Sequence, residues 1–296
     1  MHILVTGATG MIGKALVQAG LFAGHTFTLW VRNPAKARRM FGNTAAIIHS
    51  PKELDSLAQV DWVFNLAGLP IADKRWSAKR KAELLASRLE ITGQLANWIN
   101  RQPNANITLL SGSAVGVYGN TRESVITEQS PLPDAPDFAA SLCQQWEASA
   151  RQAHKARTII LRTGLVLGPG GLLKKLRPVF TACLGGNIGC GEQFMPWIHI
   201  EDQVRAMLHL AGLPEAEGAY NLCAPHPVTN AEFTRELANA LRRPAVAHLP
   251  TPLVKWVFGE LSALLLGGQN TRPARLQASG FRFAHPDLHQ ALPMVL

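Results

Sequence analysis

The sequence predicts an α/β protein with a doubly wound parallel sheet and a smaller C-terminal α/β lobe. Three observations favour this fold: an apolar strand with a glycine-rich turn at residues 2–13, alternating strand and helix patterns up to residue 165, and a change of texture beyond it. Strands that alternate with helices form parallel sheets with helices on both faces. We expect one domain over residues 1–165, to which the chain crosses back later, and a smaller lobe over residues 166–296.

The first strand and its turn have the spacing of a dinucleotide site. Ile3-Leu4-Val5 is continuously apolar, as in a buried parallel strand. Gly7 permits a tight turn, Gly10 lets the backbone approach a pyrophosphate, and Gly13 lets the helix pack closely. The helix from Met11 to about Leu21 directs its free N–H groups at the phosphates. Three glycines alone also fit a purely structural turn, but their place between strand and helix favours a Rossmann-type site. The turn residues expected to contact the cofactor are Gly7, Thr9, Gly10, Met11, Ile12 and Gly13.

The second strand indicates which dinucleotide is bound. The β-branched and aromatic stretch Thr26–Arg32 ends about twenty residues beyond the turn, where NAD-binding proteins carry an acid for the ribose 2′-hydroxyl. This chain has Arg32 there, and a guanidinium binds a 2′-phosphate that a carboxylate would repel. The sequence therefore predicts NADP as the cofactor. In the alternative interpretation, Arg32 only ends the strand, and Lys36, Arg38 and Arg39 face solvent along a short helix.

Further strands and helices follow in alternation. The predicted strands are Ala45–His49, Asp61–Gly68, Ile107–Ser113 and Arg157–Thr163. The predicted helices span residues 77–100, 137–154, 201–211 and 230–241, with Asp137 and Thr229 as N-caps. Beyond residue 165, glycine and proline clusters divide the chain into shorter pieces. We expect this lobe to close over the carboxyl ends of the strands, where open α/β sheets bind ligands.

Composition excludes several classes of protein. With 47% hydrophobic and 17% charged residues, the chain is expected to bury a sizeable core. The apolar stretch Leu253–Leu266 is interrupted by Lys255, Gly259 and Glu260, so no bilayer span is predicted. The chain starts directly in a strand, without a basic signal region. We therefore expect a cytoplasmic protein with no membrane partner.

Cysteine usage and charge narrow the expected ligands. The four cysteines lack metal-ligand spacing, so free thiols and no metal are expected. The net charge is +9, and the densest basic stretch runs over residues 74–81. Because no nucleic-acid-binding motif accompanies it, we expect no nucleic-acid partner but an anionic small-molecule substrate, or else a solvated helix face.

Several motifs together resemble the extended short-chain dehydrogenase/reductase (SDR) superfamily. They are Thr6–Gly13, Asn65–Gly68, Ser111-Gly112-Ser113 with Tyr118-Gly119, Arg162-Thr163 with Leu167-Gly168-Pro169, and Trp197–Asp202. Within it the chain is most similar to the YfcH-like branch of epimerase-family proteins. That likeness rests on Trp76, Ser87-Arg88, Cys143–Glu147 and a tail from about Pro250, with Leu265–Gln269, Arg272-Pro273 and Gly280–Phe283.

The resemblance implies further site residues. Leu66, Ala67, Gly68 and Ser111 would contact the cofactor, and Ser113 would bind a carbonyl or only cap a loop. The superfamily's Tyr-x-x-x-Lys pair is missing, because Ala139 and Cys143 occupy its positions when Glu147 is aligned. Tyr118 in the next loop and His199 near the cleft are both candidate acids or bases; alternatively, Tyr118 is a wall of the pocket and His199 is a buried, hydrogen-bonded residue. His199 and Trp197 are candidate substrate contacts beside the cleft, as is Arg88.

Three functions remain open on the sequence alone. The chain is an NADP-dependent oxidoreductase or epimerase (an isomerase), a sensor that holds NADPH without turnover, or a protein that keeps only the fold. The glycine turn and Arg32 argue against the third, and the missing tyrosine–lysine pair favours the second over the first. A homodimer is also left open. Of the three functions, we expect the first, the NADP-dependent enzyme.

Overall fold

A seven-stranded parallel sheet forms the centre of the computed structural model, which describes residues 1–57, 59–103 and 106–296. Its strands are β1 (His2–Thr6), β2 (Thr26–Trp30), β3 (Ala46–Ile48), β4 (Trp62–Asn65), β5 (Thr108–Ala114), β7 (Arg157–Thr163) and β12 (Gly218–Leu222). In space they follow the order β12-β7-β5-β4-β1-β2-β3, and every neighbouring pair is parallel.

Short strand pairs build the rest of the β-structure. The pairs β8 (Leu165–Leu167) with β11 (Trp197–His199), β9 (Gly186–Ile188) with β14 (Ala247–Leu249), and β6 (Val125–Ile126) with β15 (Asn270–Thr271) are parallel. The pair β10 (Phe194–Met195) with β13 (Val228–Thr229) is antiparallel. Most of these pairs join segments that are far apart in sequence, and each includes at least one strand from the C-terminal half.

Helices cover both faces of the main sheet, as a doubly wound fold requires. The helices are α1 (Met11–Phe22), α2 (Pro34–Phe41), α3 (Ala78–Arg101), α4 (Phe138–Arg151), α5 (Gly171–Thr181), α6 (Ile200–Gly212), α7 (Asn230–Leu241), α8 (Thr251–Phe258), α9 (Ser262–Leu266), α10 (Ala274–Ala278) and α11 (Leu288–Ala291). Helices α1, α2 and α6 fill the core on one face, and α3 and α4 fill it on the other.

The predicted fold class is confirmed, and several local predictions hold. The strand Arg157–Thr163 has the predicted bounds. The Asp137 side chain caps α4 by accepting from the Ala140 N–H, and Thr229 forms a capping box with Glu232 on α7. The predicted strand Thr26–Arg32 is shorter, because it ends at Trp30 and Arg32 follows in a bend.

Helix α5 and strand β12 are among the elements that were not predicted. Helix α5 forms in the glycine- and proline-rich region, with Pro178 inside it. Strand β12 extends the main sheet at the β7 edge, which gives it seven strands where the sequence indicated six. Within the described residues, no helix combines the length and the apolar character needed to cross a bilayer.

Candidate functional site

The glycine turn after β1 is held by contacts that leave no room for side chains at two of its positions. Gly7 has φ +71°, and a Cβ there would lie 2.6 Å from the Leu66 carbonyl oxygen. A Cβ on Gly13 would lie 2.4 Å from the Gly7 carbonyl oxygen. These two glycines therefore bring the turn after β1, the loop after β4 and the start of α1 into contact. The sequence predicted the tight turn at Gly7 and the close packing at Gly13.

Gly10 differs because it faces solvent. It is exposed and N-caps α1 with no side-chain hydrogen bond, and the first turn of α1 holds no acid. A Cβ there would meet only the Gly7 carbonyl oxygen, at 3.2 Å. The start of α1 is thus an uncapped, positively polarised helix end with open space before it, which suits a phosphate group. The neighbouring Thr9, Met11 and Ile12 are half-buried around it.

The loop after β4 is fastened to the glycine turn by Thr6. Its hydroxyl donates to Asn65 Oδ1 at 2.8 Å and accepts from the N–H groups of Leu66 and Ala67. Gly68 is exposed at the end of this loop. The loop therefore presents Leu66, Ala67 and Gly68 along the same edge of the sheet as the turn.

Ser111 is buried more deeply than a residue that contacts a ligand. Its side chain is fully buried, and its hydroxyl accepts from Asn65 Nδ2 at 3.2 Å. The same Asn65 amide donates to Thr92 Oγ1 at 2.7 Å. Ser111 therefore supports the β4 loop from below, and its predicted contact with the cofactor remains a prediction.

Arg32 stands at the expected end of the second strand. It is exposed, two residues beyond β2. Asn33 behind it caps α2 by accepting from the Lys36 N–H, so the bend that carries Arg32 is fixed. Among the described residues, neither Arg32 nor the α2 cations Lys36, Arg38 and Arg39 forms a salt bridge, which leaves their charges available to an anion.

Ser113 belongs to a buried charged network at the ends of β5 and β7. Its hydroxyl donates to Glu147 Oε1 at 2.8 Å, and Arg162 donates to both oxygens of that carboxylate at 2.9 and 3.0 Å. Burial raises the pKa of Glu147, but the hydrogen bonds and charge of Arg162 outweigh it and hold the pKa below its usual value. The proton of the Ser113 hydroxyl is therefore already directed at a carboxylate.

Tyr118 is the far end of the same network. It is 3% exposed, its hydroxyl donates to Asn221 Oδ1 at 2.9 Å, and it accepts from Arg162 Nη1 at 2.8 Å. Burial raises the pKa of the phenol despite the adjacent arginine. A buried phenol with a donor and an acceptor already bonded has the environment of a structural tyrosine. Its catalytic role stays a prediction.

Two small, buried side chains occupy the positions of the missing tyrosine–lysine pair. Ala139 and Cys143 are both buried on α4 beside the end of β5, in a cluster with Trp76, Leu84 and Val117. Burial, followed by the charge of Glu147, raises the pKa of the Cys143 thiol to about 11, so it stays protonated at neutral pH. A thiol in that state is a poor nucleophile.

Arg88 is turned into the protein. It is buried, and its guanidinium donates to the carbonyl oxygens of Leu84 and Leu69 and lies 5.1 Å from the Trp146 ring. Its Nε atom is buried without a hydrogen-bond partner among the described residues. Arg88 thus ties α3 to the loop after β4. Its predicted contact with substrate has not been tested and would compete with these bonds.

Trp197 and His199 lie on β11. Trp197 is fully buried, and its indole donates to the His226 carbonyl oxygen. The donor atoms of His199, Glu201 and His285 all lie within 4.8 Å of one another, a spacing that could hold a metal ion. However, His199 Nδ1 accepts from the Glu201 N–H, which keeps the proton on Nε2, and His285 Nε2 bonds the Glu201 carboxylate. These contacts favour a structural role for the trio, which joins α6 to the tail.

A model of the NAD dependent epimerase/dehydratase family matches residues 3–223 of this chain. The chain belongs to that family. A second model, for a domain of unknown function (DUF1731), matches residues 249–293. An epimerase family protein of Mycobacterium bovis is 39% identical over 98% of this chain and 96% of its own length. The predicted SDR resemblance and its distinctive tail are thereby confirmed.

Solved structures agree with this assignment. The crystal structure of human epimerase family protein SDR39U1 with NADPH is 36% identical, with a TM-score of 0.90 over 100% of this chain and 99% of that one. A UDP-glucuronic acid 4-epimerase from Bacillus cereus in complex with a fluorinated UDP-sugar and NAD has a TM-score of 0.80 at 17% identity, over 100% and 98% of the two chains. The second likeness shows the shared fold alone.

Three members of the buried network were missed as site residues. In the sequence, Glu147 appeared only as the acid used to align the missing Tyr-x-x-x-Lys pair, and Arg162 appeared only as part of the Arg162-Thr163 motif. Asn221 carried no signal, because it lies on β12, which was not predicted to join the sheet. Tyr118 and Asn221 are 103 residues apart in sequence, so only the fold reveals their contact.

Proposed function

We propose that the chain is an NADP(H)-dependent oxidoreductase that binds its cofactor at the carboxyl edge of the main sheet. The observation that carries this proposal is the uncapped start of α1 at Gly10, facing open space beside the tied loops after β1 and β4. The backbone N–H groups there would hold the pyrophosphate, and Leu66 to Gly68 would border the rest of the dinucleotide. When bound, the nicotinamide supplies the hydride.

The choice of NADP(H) over NAD(H) rests on Arg32. It is exposed, without a salt bridge among the described residues, where an acid would select NAD. The NADPH in the structure of the human relative supports the same choice. A hydrogen bond to a charged group contributes about 1.5–3 kcal/mol, which corresponds to roughly ten- to hundredfold in affinity.

Titration of both cofactors tests this choice. Arg32→Ala should weaken NADPH binding by about ten- to hundredfold and leave NADH binding nearly unchanged. Arg235→Ala removes an exposed arginine from α7 and serves as a control of equal charge. Equal affinities of the wild type for the two cofactors, or a similar loss in both variants, would overturn the NADP assignment.

The substrate is proposed to be an anionic small molecule. Lys74 and Lys79 are exposed beside the loop after β4, whereas Arg80 is buried and donates to the Pro70 carbonyl oxygen. Only part of the basic stretch is therefore free to meet a ligand. Lys74→Ala should raise KM for an anionic carbonyl substrate and leave KM for a neutral one unchanged.

A second candidate function is a module that holds NADPH without turnover. It is favoured by one observation, the full engagement of the Ser113 and Tyr118 hydroxyls within the buried network. A positioned general acid contributes about 10²–10⁴-fold to rate, so its loss makes slow turnover the expected result for the enzyme. Single-turnover oxidation of bound NADPH by a panel of carbonyl compounds separates the two: no oxidation with any of them favours the module.

A further inference from the structure

Helix α8 presents an apolar face to solvent. Leu253, Trp256 and Val257 are 43%, 77% and 40% exposed, while Val254 is the only buried residue of the helix. At 3.6 residues per turn, positions 253, 256 and 257 lie on one side of the helix. Three large apolar side chains on one exposed face of an eight-residue helix indicate a partner that covers them.

Two more exposed apolar side chains lie near the strand that leads into α8. Leu184 and Val246 precede β9 and β14, and the Ala247 N–H donates to the Gly185 carbonyl oxygen at 3.1 Å. Val246 therefore lies opposite Gly185, the residue after Leu184, at the start of that strand pair. Strand β14 then passes through Pro250 directly into α8.

Basic side chains converge on the other end of α8. A Cβ on Gly259, the residue after α8, would lie 3.1 Å from Arg75 Nη2. Lys81 bonds Glu260, one residue further on. Lys175 on α5 bonds Asp73 at 2.6 Å, which brings α5 to the loop that carries Arg75. The exposed cations of these segments and of α8 that form no salt bridge among the described residues, and that are not assigned to the substrate, are Arg75, Lys174, Arg177 and Lys255.

We propose that the apolar face of α8 docks on the surface of an anionic lipid bilayer. An exposed apolar helix face flanked by lysines and arginines has the character of an interfacial helix, which buries its apolar side chains at the lipid boundary. The surrounding cations attract anionic headgroups. A second copy of the chain fits less well, because a two-fold contact centred on α8 would bring the same basic side chains of both copies together.

This proposal replaces the expectation that the chain has no membrane partner. That expectation rested on the lack of a stretch long enough to span a bilayer, and none of the described helices has that length and character. Docking on a surface needs no spanning helix. It needs only one amphipathic face and the matching charge.

Co-sedimentation with lipid vesicles tests the proposal on the full chain. The wild type should bind vesicles of phosphatidylcholine and phosphatidylglycerol, bind pure phosphatidylcholine far less, and detach in high salt, because salt screens the headgroup attraction. Trp256→Ser should lower the affinity for the mixed vesicles by about tenfold or more, since the indole would otherwise enter the interface. Lys255→Ala should lower it by about fivefold.

Matched controls come from exposed residues elsewhere. Phe22 is 97% exposed at the end of α1, so Phe22→Ser removes an equally exposed aromatic side chain away from α8. Lys52→Ala removes an exposed lysine after β3. Both controls should bind vesicles like the wild type. NADPH affinity, measured in parallel, should be unchanged in all four variants, so that a failure of docking is distinct from a failure of cofactor binding.

Two outcomes would overturn the proposal. One is vesicle binding that is absent, or equal for wild type and Trp256→Ser. The other is a dimer in sedimentation velocity that Trp256→Ser dissociates while no vesicle binding is seen, which would assign the α8 face to a second copy of the chain.

Discussion

Gly10 and Gly13 are three residues apart and serve different purposes. A Cβ at Gly13 would collide with the Gly7 backbone at 2.4 Å, whereas one at Gly10 would meet a single oxygen at 3.2 Å and otherwise point to solvent. The fold therefore requires glycine at position 13, whereas the proposed role of Gly10 is to make room for the cofactor phosphate.

Alanine substitutions at the two positions should separate these roles. Gly13→Ala should destabilise the protein by about 1–3 kcal/mol or more, because backbone must move to admit the methyl group. Gly10→Ala should keep the wild-type melting temperature and lose most NADPH affinity, since the methyl group would occupy the place of the phosphate. Thermal unfolding and cofactor titration measure both. Unaltered NADPH binding by Gly10→Ala would show that the dinucleotide is held elsewhere.

Substitution of Tyr118 tests whether its hydroxyl has a structural or a catalytic role. Tyr118→Phe leaves Arg162 Nη1 and Asn221 Oδ1 without their shared partner, and should lower stability by about 1–3 kcal/mol. NADPH oxidation should keep its kcat. If instead kcat falls by about 10²–10⁴-fold with unchanged stability, Tyr118 is the general acid.

At the scale of residues, the sequence predicted features that are formed by residues close together in the chain. The glycine turn and the cation after the second strand are readable because their spacing lies within one strand–turn–helix unit. The Ser113–Glu147–Arg162 contacts join β5, α4 and β7, so no spacing rule reveals them. The bonds from Arg88 to the Leu84 and Leu69 carbonyl oxygens were equally hidden from the sequence, and its contact with substrate stays a prediction.

At the scale of elements, α4 is locked to the sheet through Glu147. The carboxylate is 1% exposed and accepts from Ser113 on β5 and Arg162 on β7. Glu147→Gln would leave the Arg162 charge buried and uncompensated, and we expect a loss of roughly 3–5 kcal/mol in urea unfolding. Arg151 also donates to Glu147 but is half exposed, so Arg151→Ala is a milder control.

The stabilisation that the Glu147 contacts provide depends on pH in a defined direction. Arg162 holds the pKa of Glu147 below its usual 4.5, so the unfolded chain takes up this proton first on acidification. The stabilisation is therefore complete above pH 4.5 and is lost as the pH falls through the lower pKa of the folded state. The stability gap between wild type and Glu147→Gln should narrow below pH 4.5, and a gap that stays constant would contradict the assignment.

Elements were predictable where pattern and caps coincided. Helices α4 and α7 have clear N-caps, and β7 has a continuous apolar centre. Helix α5 begins at a glycine and contains a proline, so the helix propensity of its sequence is low. The helix forms because Leu173 and Phe180 pack in the C-terminal core. Strand β12 is five residues long and pairs only with β7 among the described strands.

At the scale of the whole molecule, the C-terminal half is joined to the main sheet at several points. Strand β12 is part of that sheet, Arg275 donates to the Ala219 carbonyl oxygen beneath it, and Leu276 and Phe281 lie in the main core. The tail is further held by Asp202 on α6, whose carboxylate accepts from the N–H groups of Ala284 and His285 at 2.8 Å each. The two halves should therefore unfold together.

Calorimetry can test this cooperativity. The wild type should show one unfolding transition, and NADPH should raise its midpoint because the ligand binds only the folded state. Asp202 is fully buried, so Asp202→Asn turns one acceptor into a donor that faces a backbone N–H, and should lower stability by about 3 kcal/mol. Asp287→Asn alters an exposed pair with His226 on the same tail and should change little. Two separate transitions in the wild type, or equal effects of the two variants, would show that the tail is not an integral part of the folded unit.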